Sequence, residues 1–332
     1  MPQEKPALAL TMGEPAGVGP ELTLMAWRRR SPEDAPFFVL GSPAYLKSVA
    51  KMIGFDTPIV ETGPGEAASV IDKGLPVVPL ENAVNGTPGR PDPSNAAATI
   101  ESITRAVQAV REGKARALVT NPIAKSVLYE SGFRFPGHTE FLGELAKAWG
   151  EPAFPVMMIW SEKLAVVPIT IHLELAEAIK ALSADLVKRT ARIVARDLRG
   201  RFGVARPRLA FAGLNPHAGE GGAMGREEIE IIAPAIAALK AEGINAIGPL
   251  PADTMFHARA RAAYDVALTM YHDQGLIPAK TLAFDEAVNI TLGLPFVRTS
   301  PDHGTAFDIA GKGIANPSSL IAALRLADRL TG

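Results

Sequence analysis

Apolar residues fall in short continuous runs separated by longer amphipathic stretches, an alternation that predicts an α/β architecture. The runs predict strands over 8–11, 37–40, 117–120, 156–159, 165–171, 209–212, 266–270 and 288–292. They are mostly continuous rather than alternating, as in strands covered on both faces of a parallel sheet. Ala96, Ile100, Ile103, Val107 and Val110 recur at steps of four and three, after Ser94 as an N-cap and before Gly113 as a stop, and predict a helix. Ile229, Ile232, Ile236 and Leu239 predict another, with Glu227 and Glu228 near its positive start and Gly243 just past its end. Further helices are expected over 20–30, 139–149, 184–201 and 317–330, with no fixed-period repeat. The glycine- and proline-rich stretch 132–137 suggests a lobe boundary near residue 130.

Composition narrows the picture. A chain of 332 residues, 47% hydrophobic, buries most of its unfolded surface and usually divides into two lobes. With 34 Lys+Arg against 35 Asp+Glu it lacks the basic excess that nucleic acid or an anionic membrane rewards, so neither partner is expected. Arg28-Arg29-Arg30 reads as the solvated end of a helix. The absence of cysteine excludes disulfides, thiolate metal sites, iron–sulfur clusters and a cysteine nucleophile, so a metal would need His, Asp or Glu. The apolar stretches 154–160 and 164–171 are too short and too interrupted to span a membrane. The N-terminus MPQEKPALALTMGEP lacks the form of a signal peptide, and a cytoplasmic protein is expected.

Three of the six histidines share a position. His172 ends AVVPITIH, His217 follows LAFAGLNPH, and His272 closes VALTMYH, each after a strand-like run. In a parallel sheet the carboxyl ends of the strands lie on one edge, where ligands bind. Three imidazoles there could hold a divalent metal and leave a position open for chemistry. Taken singly, each reads more simply as a hydrogen-bonded loop or core residue; the three together favour the metal. Asp253, in LPADTMF, is either a further acidic ligand or the N-cap of a helix beginning at Thr254, with His257 a surface or packing residue inside that helix.

Two loops and a few cations add to this. The segment from Met12 to Glu21 is glycine-rich but is neither a dinucleotide fingerprint nor a P-loop, and reads as a structural turn or a binding loop. The loop Asp302 to Pro317 is denser in glycine and polar residues than a connection requires. Lys280 and Arg298 could partner a phosphate or carboxylate, or be ordinary solvated cations. Thr139, entering a helix after His138, could also hold an anion. No G-x-S-x-G elbow supports a serine hydrolase.

Together these segments resemble the 4-hydroxythreonine-4-phosphate dehydrogenases of pyridoxal phosphate biosynthesis. The motifs are TMGEPAGVGPE (11–21), TNPIAKSVL (120–128), PGHTEFL (136–142), GLNPHAGEGGAMGREE (213–228), LPADTMF (250–256), MYHDQGLIPAK (270–280) and DHGTAFDIAGKGIANPSS (302–319). The last also resembles the adenosine-binding loop of isocitrate and isopropylmalate dehydrogenases. The resemblance implies a two-lobed, isocitrate/isopropylmalate dehydrogenase-like α/β fold with a central cleft, in a homodimer whose active site the partner completes. It implies a cofactor-side lobe over 1–128 and about 289–332, and a metal, substrate and dimerisation lobe over about 129–288. By the same resemblance, His172, His217 and His272 bind one divalent metal (zinc, cobalt or magnesium), and His138, Thr139, Lys280, Asn289 and Arg298 contact substrate. Asp253 is an acid near the metal, and the loop carrying His303, Gly304, Asp308 and Asn316 holds NAD or NADP. One departure is Ala223, where family members often carry His.

The implied reaction is oxidation of a small phosphorylated amino acid at its C3 hydroxyl, with Lys280 as proton acceptor, followed by decarboxylation to 3-amino-1-hydroxyacetone 1-phosphate. Rival readings are a sibling dehydrogenase for threonate or erythronate 4-phosphate or a cyclic diol, a metal-dependent hydrolase, and a phosphate-binding module without catalysis.

Overall fold

A computed structural model describes residues 5–135, 137–150 and 153–332; Pro136 of the PGHTEFL motif and the first four residues of the N-terminal stretch lie outside these. The chain forms two compact units, one ending at Phe154 and resuming over Leu294–Gly332, the other spanning Pro155–Gly293. The boundaries therefore fall at 154/155 and 293/294, not at the expected 128/129 and 288/289. Packing explains the first shift. Phe141, Leu142 and Ala146 of the helix His138–Ala146 join Ile103, Val107 and Phe296 in the core of the first unit. The glycine-rich stretch near 132 thus connects two helices of one unit.

The first unit contains β1 (Leu8–Thr11), β2 (Phe37–Gly41), β3 (Ile59–Glu61), β4 (Leu75–Pro79), β5 (Leu118–Val119) and, from the far end of the chain, β12 (Arg298–Pro301). They lie in the order β3-β4-β2-β1-β5-β12, all neighbours parallel. The second unit holds β6 (Val156–Trp160), β7 (Ala165–Pro168), β8 (Arg208–Ala212), β9 (Asn245–Leu250), β10 (Val266–Thr269) and β11 (Val288–Leu292). Their order is β11-β6-β7-β10-β8-β9; β6 is antiparallel to both its neighbours, and β7, β10, β8 and β9 run parallel. β1, β2, β7 and β10 are buried along their whole length, as continuous apolar runs require.

Several elements differ from the sequence expectation. β3, β4, β9 and β12 were not expected: β4 carries Pro76 and Pro79, β9 carries Pro249, and β12 is the polar run Arg-Thr-Ser-Pro. β7 stops at Pro168, three residues short of the expected end, and His172 beyond it lies in the left-handed region, at φ 50°. Ser94 does not cap the helix Ala96–Arg111; its N–H donates to Asp92 Oδ1, which caps the preceding 3₁₀ turn. The helix expected from Ile229 begins as a π turn, Glu228–Ile232, before the α-helix Ala233–Ala241. Pro234 there lacks the N–H that would bond the carbonyl of Glu230. The wider turn leaves Ile229 exposed while Ile232, Ile236 and Leu239 are buried. Among the described residues, no helix is long and apolar enough to cross a membrane.

Ile103, with no exposed surface, plugs the helix Ala96–Arg111 onto the sheet of the first unit. Ile103→Ala is expected to lower unfolding stability by about 2–5 kcal/mol, read from urea denaturation. A loss below about 1 kcal/mol would contradict this core assignment.

Candidate active site

In the second unit, the carboxyl ends of β7, β10 and β8 deliver His172, His272 and His217 to one edge. Short hydrogen bonds set the register of these three loops. Ile169 N–H donates to Thr269 O at 2.7 Å, and the Thr170 hydroxyl donates to Met270 O at 2.7 Å. Gln274 then joins the other two: its Oε1 accepts from Met270 N at 2.8 Å, and its Nε2 donates to Gly213 O at 2.7 Å. His172 and His217 both have positive φ, 50° and 52°. Histidine visits this region more readily than most residues, but it is uncommon and concentrated at functional sites.

The rings of His172 and His272 lie 5.7 Å apart, centroid to centroid. Two imidazoles sharing a tetrahedral ion through bonds of about 2 Å would stand roughly 5 Å apart, so the pair fits a metal. His272 Nδ1 lies 2.7 Å from Asp273 Oδ1, where the carboxylate accepts, so Nε2 is the nitrogen available to a metal. Both rings, with Thr170, Tyr271 and Asp273, line a cavity of about 320 Å³. Among the described residues, no set of three His, Asp or Glu side chains stands close enough to hold a metal ion, so His217 does not join the pair as placed.

The other expected residues of this unit are spread more widely. Asp253 is exposed in the 3₁₀ turn Ala252–Thr254, whose N-cap is Pro251, so it caps no helix. His257 is the true cap: its Nδ1 accepts from Ala260 N at the start of the helix Ala258–Arg261. That outcome corrects the capping reading of Asp253 and the placing of His257 inside a helix. Lys280 shares the helix His272–Ala283 with His272, eight residues and hence about 12 Å along its axis. Asn289 sits on β11 opposite Ile159.

The first unit gathers cations instead. Arg298, at the start of β12, is buried, and its Nε and Nη2 donate to the Thr120 hydroxyl at 3.2 and 2.6 Å. Burial lowers its pKa to about 10, which leaves it charged at neutral pH. His138 opens the helix His138–Ala146, with Thr139 next to it. Burial, then the charges of Arg298 and Lys125, push its pKa well below the ordinary histidine value, so the ring is neutral. Its Nε2 is buried without a hydrogen-bond partner. A Cβ at Gly137 would lie 3.6 Å from Lys125 Nζ, which places this ammonium at the helix start. The same Cβ would lie 3.4 Å from Glu140 Oε2, so two cations, a neutral imidazole and a helix N-terminus meet beside one carboxylate, a corner of net positive charge that suits an anion. Lys125 and Thr120 were not singled out from the sequence, although both lie in the TNPIAKSVL motif.

The loop from His303 to Asn316 is held by the glycine-rich segment at the start of the chain. Val18 N donates to Thr305 O at 2.9 Å, and a Cβ at Gly17 would stand 2.9 Å from that same oxygen. The buried carboxylate of Glu21 accepts from Gly311 N at 2.9 Å and Ala315 N at 3.0 Å. Gly304 and Asp308 are exposed, and His303 Nδ1 lies 2.9 Å from Gly304 O. Asn316 Oδ1 accepts from both the N–H and hydroxyl of Ser318, which ties it to the start of the final helix. Glu14, also missed from the sequence, is buried; burial raises its pKa against the pull of the Ala16 N–H, and its Oε2 is buried without a partner.

Two α/β units, with histidines at the strand ends of one and an anion corner in the other, carry the architecture of a dehydrogenase that acts on a small anionic substrate, and similarity to known proteins agrees. The chain belongs to the family of the pyridoxal phosphate biosynthetic protein PdxA, whose model matches residues 33–327. It is 61% identical to a 4-hydroxythreonine-4-phosphate dehydrogenase of Methylorubrum extorquens, over 97% of this chain and 94% of that one. A second, from Bradyrhizobium diazoefficiens, is 57% identical, with coverages of 97% and 96%. The crystal structure of 4-hydroxythreonine-4-phosphate dehydrogenase from Klebsiella pneumoniae superposes with a TM-score of 0.87 at 37% identity, covering 98% of this chain and 100% of that one.

Two outcomes follow from this geometry. Because the native His138 resists protonation while the unfolded chain takes a proton near pH 6.5, its contribution to stability is lost progressively as pH falls below that value. His138→Gln is therefore expected to flatten the decline of melting temperature between pH 7 and pH 5; an unchanged decline would contradict the neutral ring. Glu21→Ala strands two backbone N–H groups and is expected to cost at least about 2 kcal/mol and to expose the loop 303–316 to limited proteolysis. Wild-type resistance to protease would show that Glu21 does not hold the loop.

Proposed function

We propose that this chain oxidises 4-hydroxythreonine 4-phosphate at its C3 hydroxyl and that the resulting β-keto acid loses carbon dioxide to give 3-amino-1-hydroxyacetone 1-phosphate. The observation that carries this reading is the 61% identity, across 97% of the chain, to an enzyme named for that substrate. A divalent metal at the imidazoles would supply Lewis acidity, and NAD or NADP would accept the hydride.

The residues divide the remaining work. Arg298, His138 and Thr139, joined by Lys125, hold the anionic group of the substrate, with a neutral imidazole free to donate where no acceptor is present. His172, His217 and His272 are the metal ligands, and Asp273 fixes the ring of His272. Lys280 takes the hydroxyl proton as the C3–H bond breaks; the C1–C2 bond then breaks and C2 gains a proton. Asp253 is the catalytic acid near the metal, and Asn289 contacts substrate. The loop bearing His303, Gly304, Asp308 and Asn316 receives the nicotinamide cofactor, with Glu21 as its anchor. The first unit is then the cofactor side and the second the metal side. We further infer a cytoplasmic homodimer in which the partner subunit completes the site.

The decisive assay supplies chelator-stripped protein with 4-hydroxythreonine 4-phosphate and NAD or NADP, then restores Zn²⁺, Co²⁺ or Mg²⁺. Substrate-dependent NADH or NADPH absorbance that requires the metal is expected; phosphate release without cofactor would favour a hydrolase instead. Lys280→Met is expected to reduce kcat at least about 100-fold while metal content stays constant, and wild-type turnover would remove it from the proton transfer.

A further inference from the structure

The loop 81–93 has no part in the chemistry above, yet it leaves the carboxyl end of β4, which runs parallel with β1 and β12 in one sheet. It therefore emerges at the same edge as the glycine-rich segment after β1 and the loop 303–316 after β12, the edge where ligands of such sheets bind. Its base is pinned from the following helix. The Glu101 carboxylate accepts from Glu81 N and Asn82 N at 2.8 and 2.9 Å, and Asn95 Oδ1 accepts from Asn85 N at 2.9 Å. Its tip is the four-residue turn Thr87-Pro88-Gly89-Arg90, closed by Arg90 N donating to Thr87 O at 3.0 Å. Proline in second place and glycine in third, at φ 83°, are what a type II turn demands.

This tip rests on both neighbouring loops. Gly89 N donates to Ala16 O at 2.7 Å, a Cβ on Gly89 would lie 3.0 Å from Phe307 O, and one on Gly311 would lie 2.7 Å from Pro88 Cβ. The turn thus delivers Arg90 beside the stretch 303–308. Arg90 is exposed, and among the described residues its guanidinium has no hydrogen bond or ion pair. Permanent cations are scarce here: the segments 12–18, 81–93 and 303–316 hold only Arg90 and Lys312. A dinucleotide brings an anionic pyrophosphate to such an edge, and a forked guanidinium is the side chain that grips phosphate through two hydrogen bonds.

We propose that the turn 87–90 forms a wall of the cofactor site and that the Arg90 guanidinium binds a phosphate of the dinucleotide. This rests on the reading of the loop 303–316 as the cofactor holder. The phosphate is the bridging pyrophosphate or, in NADP, the 2′-phosphate, two sources of one chemistry that different probes separate.

The test is calorimetric titration of the full-length chain with adenosine, ADP-ribose and 2′-phospho-ADP-ribose over a salt series, with melting temperature recorded for each variant. Arg90→Gln is expected to weaken ADP-ribose binding about 10–100-fold, the scale of a hydrogen bond to a charged group, to flatten its salt dependence and to leave adenosine affinity unchanged. A loss confined to 2′-phospho-ADP-ribose assigns Arg90 to that phosphate instead. Lys73→Gln is the control: Lys73 is exposed just ahead of β4, at the opposite edge of the sheet, and its loss should change no affinity. Wild-type binding of both phosphorylated probes by Arg90→Gln, or an equal loss for adenosine, would overturn the proposal. The double variant His303→Ala, Asp308→Ala separates the two readings. If it loses ADP-ribose affinity while Arg90→Gln keeps it, the loop 303–316 still holds the cofactor and Arg90 alone is set aside. If both bind as wild type does, or the wild type binds neither phosphorylated probe, the cofactor reading has failed as well.

Discussion

Every backbone N–H that leaves a strand or helix needs an acceptor, and buried loops leave many in need. In this chain the answer is repeatedly a buried side chain that arrives from elsewhere in the sequence. Glu21 takes the amides of Gly311 and Ala315, Glu228 takes that of Asn215, and Gln274 takes that of Met270 while donating to Gly213. A parallel sheet decides where the loops emerge; these acceptors decide what shape they keep. The histidine edge and the loop 303–316 both depend on them.

Charge is handled differently in the two units. The first concentrates Arg298 and Lys125 around an imidazole that is denied its own proton, and against the single carboxylate of Glu140 at the same helix start the balance is cationic. The second sets a carboxylate against Nδ1 of the His272 imidazole, which orients the ring. One arrangement suits a phosphate, the other a metal; burial keeps water from Arg298 in the first, whereas the His272–Asp273 pair stands open to it.

Much of this was legible in the sequence because it is periodic or local. β1 and β8 are nearly continuous apolar runs, β11 alternates apolar Val288, Ile290 and Leu292 with polar residues, and the helix Ala96–Arg111 follows its three-four spacing. The placement of His172, His217 and His272 after strands was legible for the same reason. What escaped depends on distant partners. Glu21 and Glu228 look like ordinary helix-start acids until the loops they hold are seen, and Lys125 gains meaning only beside Gly137 and His138. β12 is polar, yet it pairs with β5 because its neighbours, not its own residues, supply the apolar cover. Asp253 and His257 exchanged capping roles because the turn begins at Pro251.

The strand order of the first unit carries a consequence for synthesis. β5, at Leu118–Val119, pairs on one side with β1 and on the other with β12, which is made some 180 residues later. The second unit is one uninterrupted stretch, Pro155–Gly293, with all its strands in hand before β12 leaves the ribosome. The part begun first is thus finished last, and until then the flank of β5 is an open edge in need of shelter during translation.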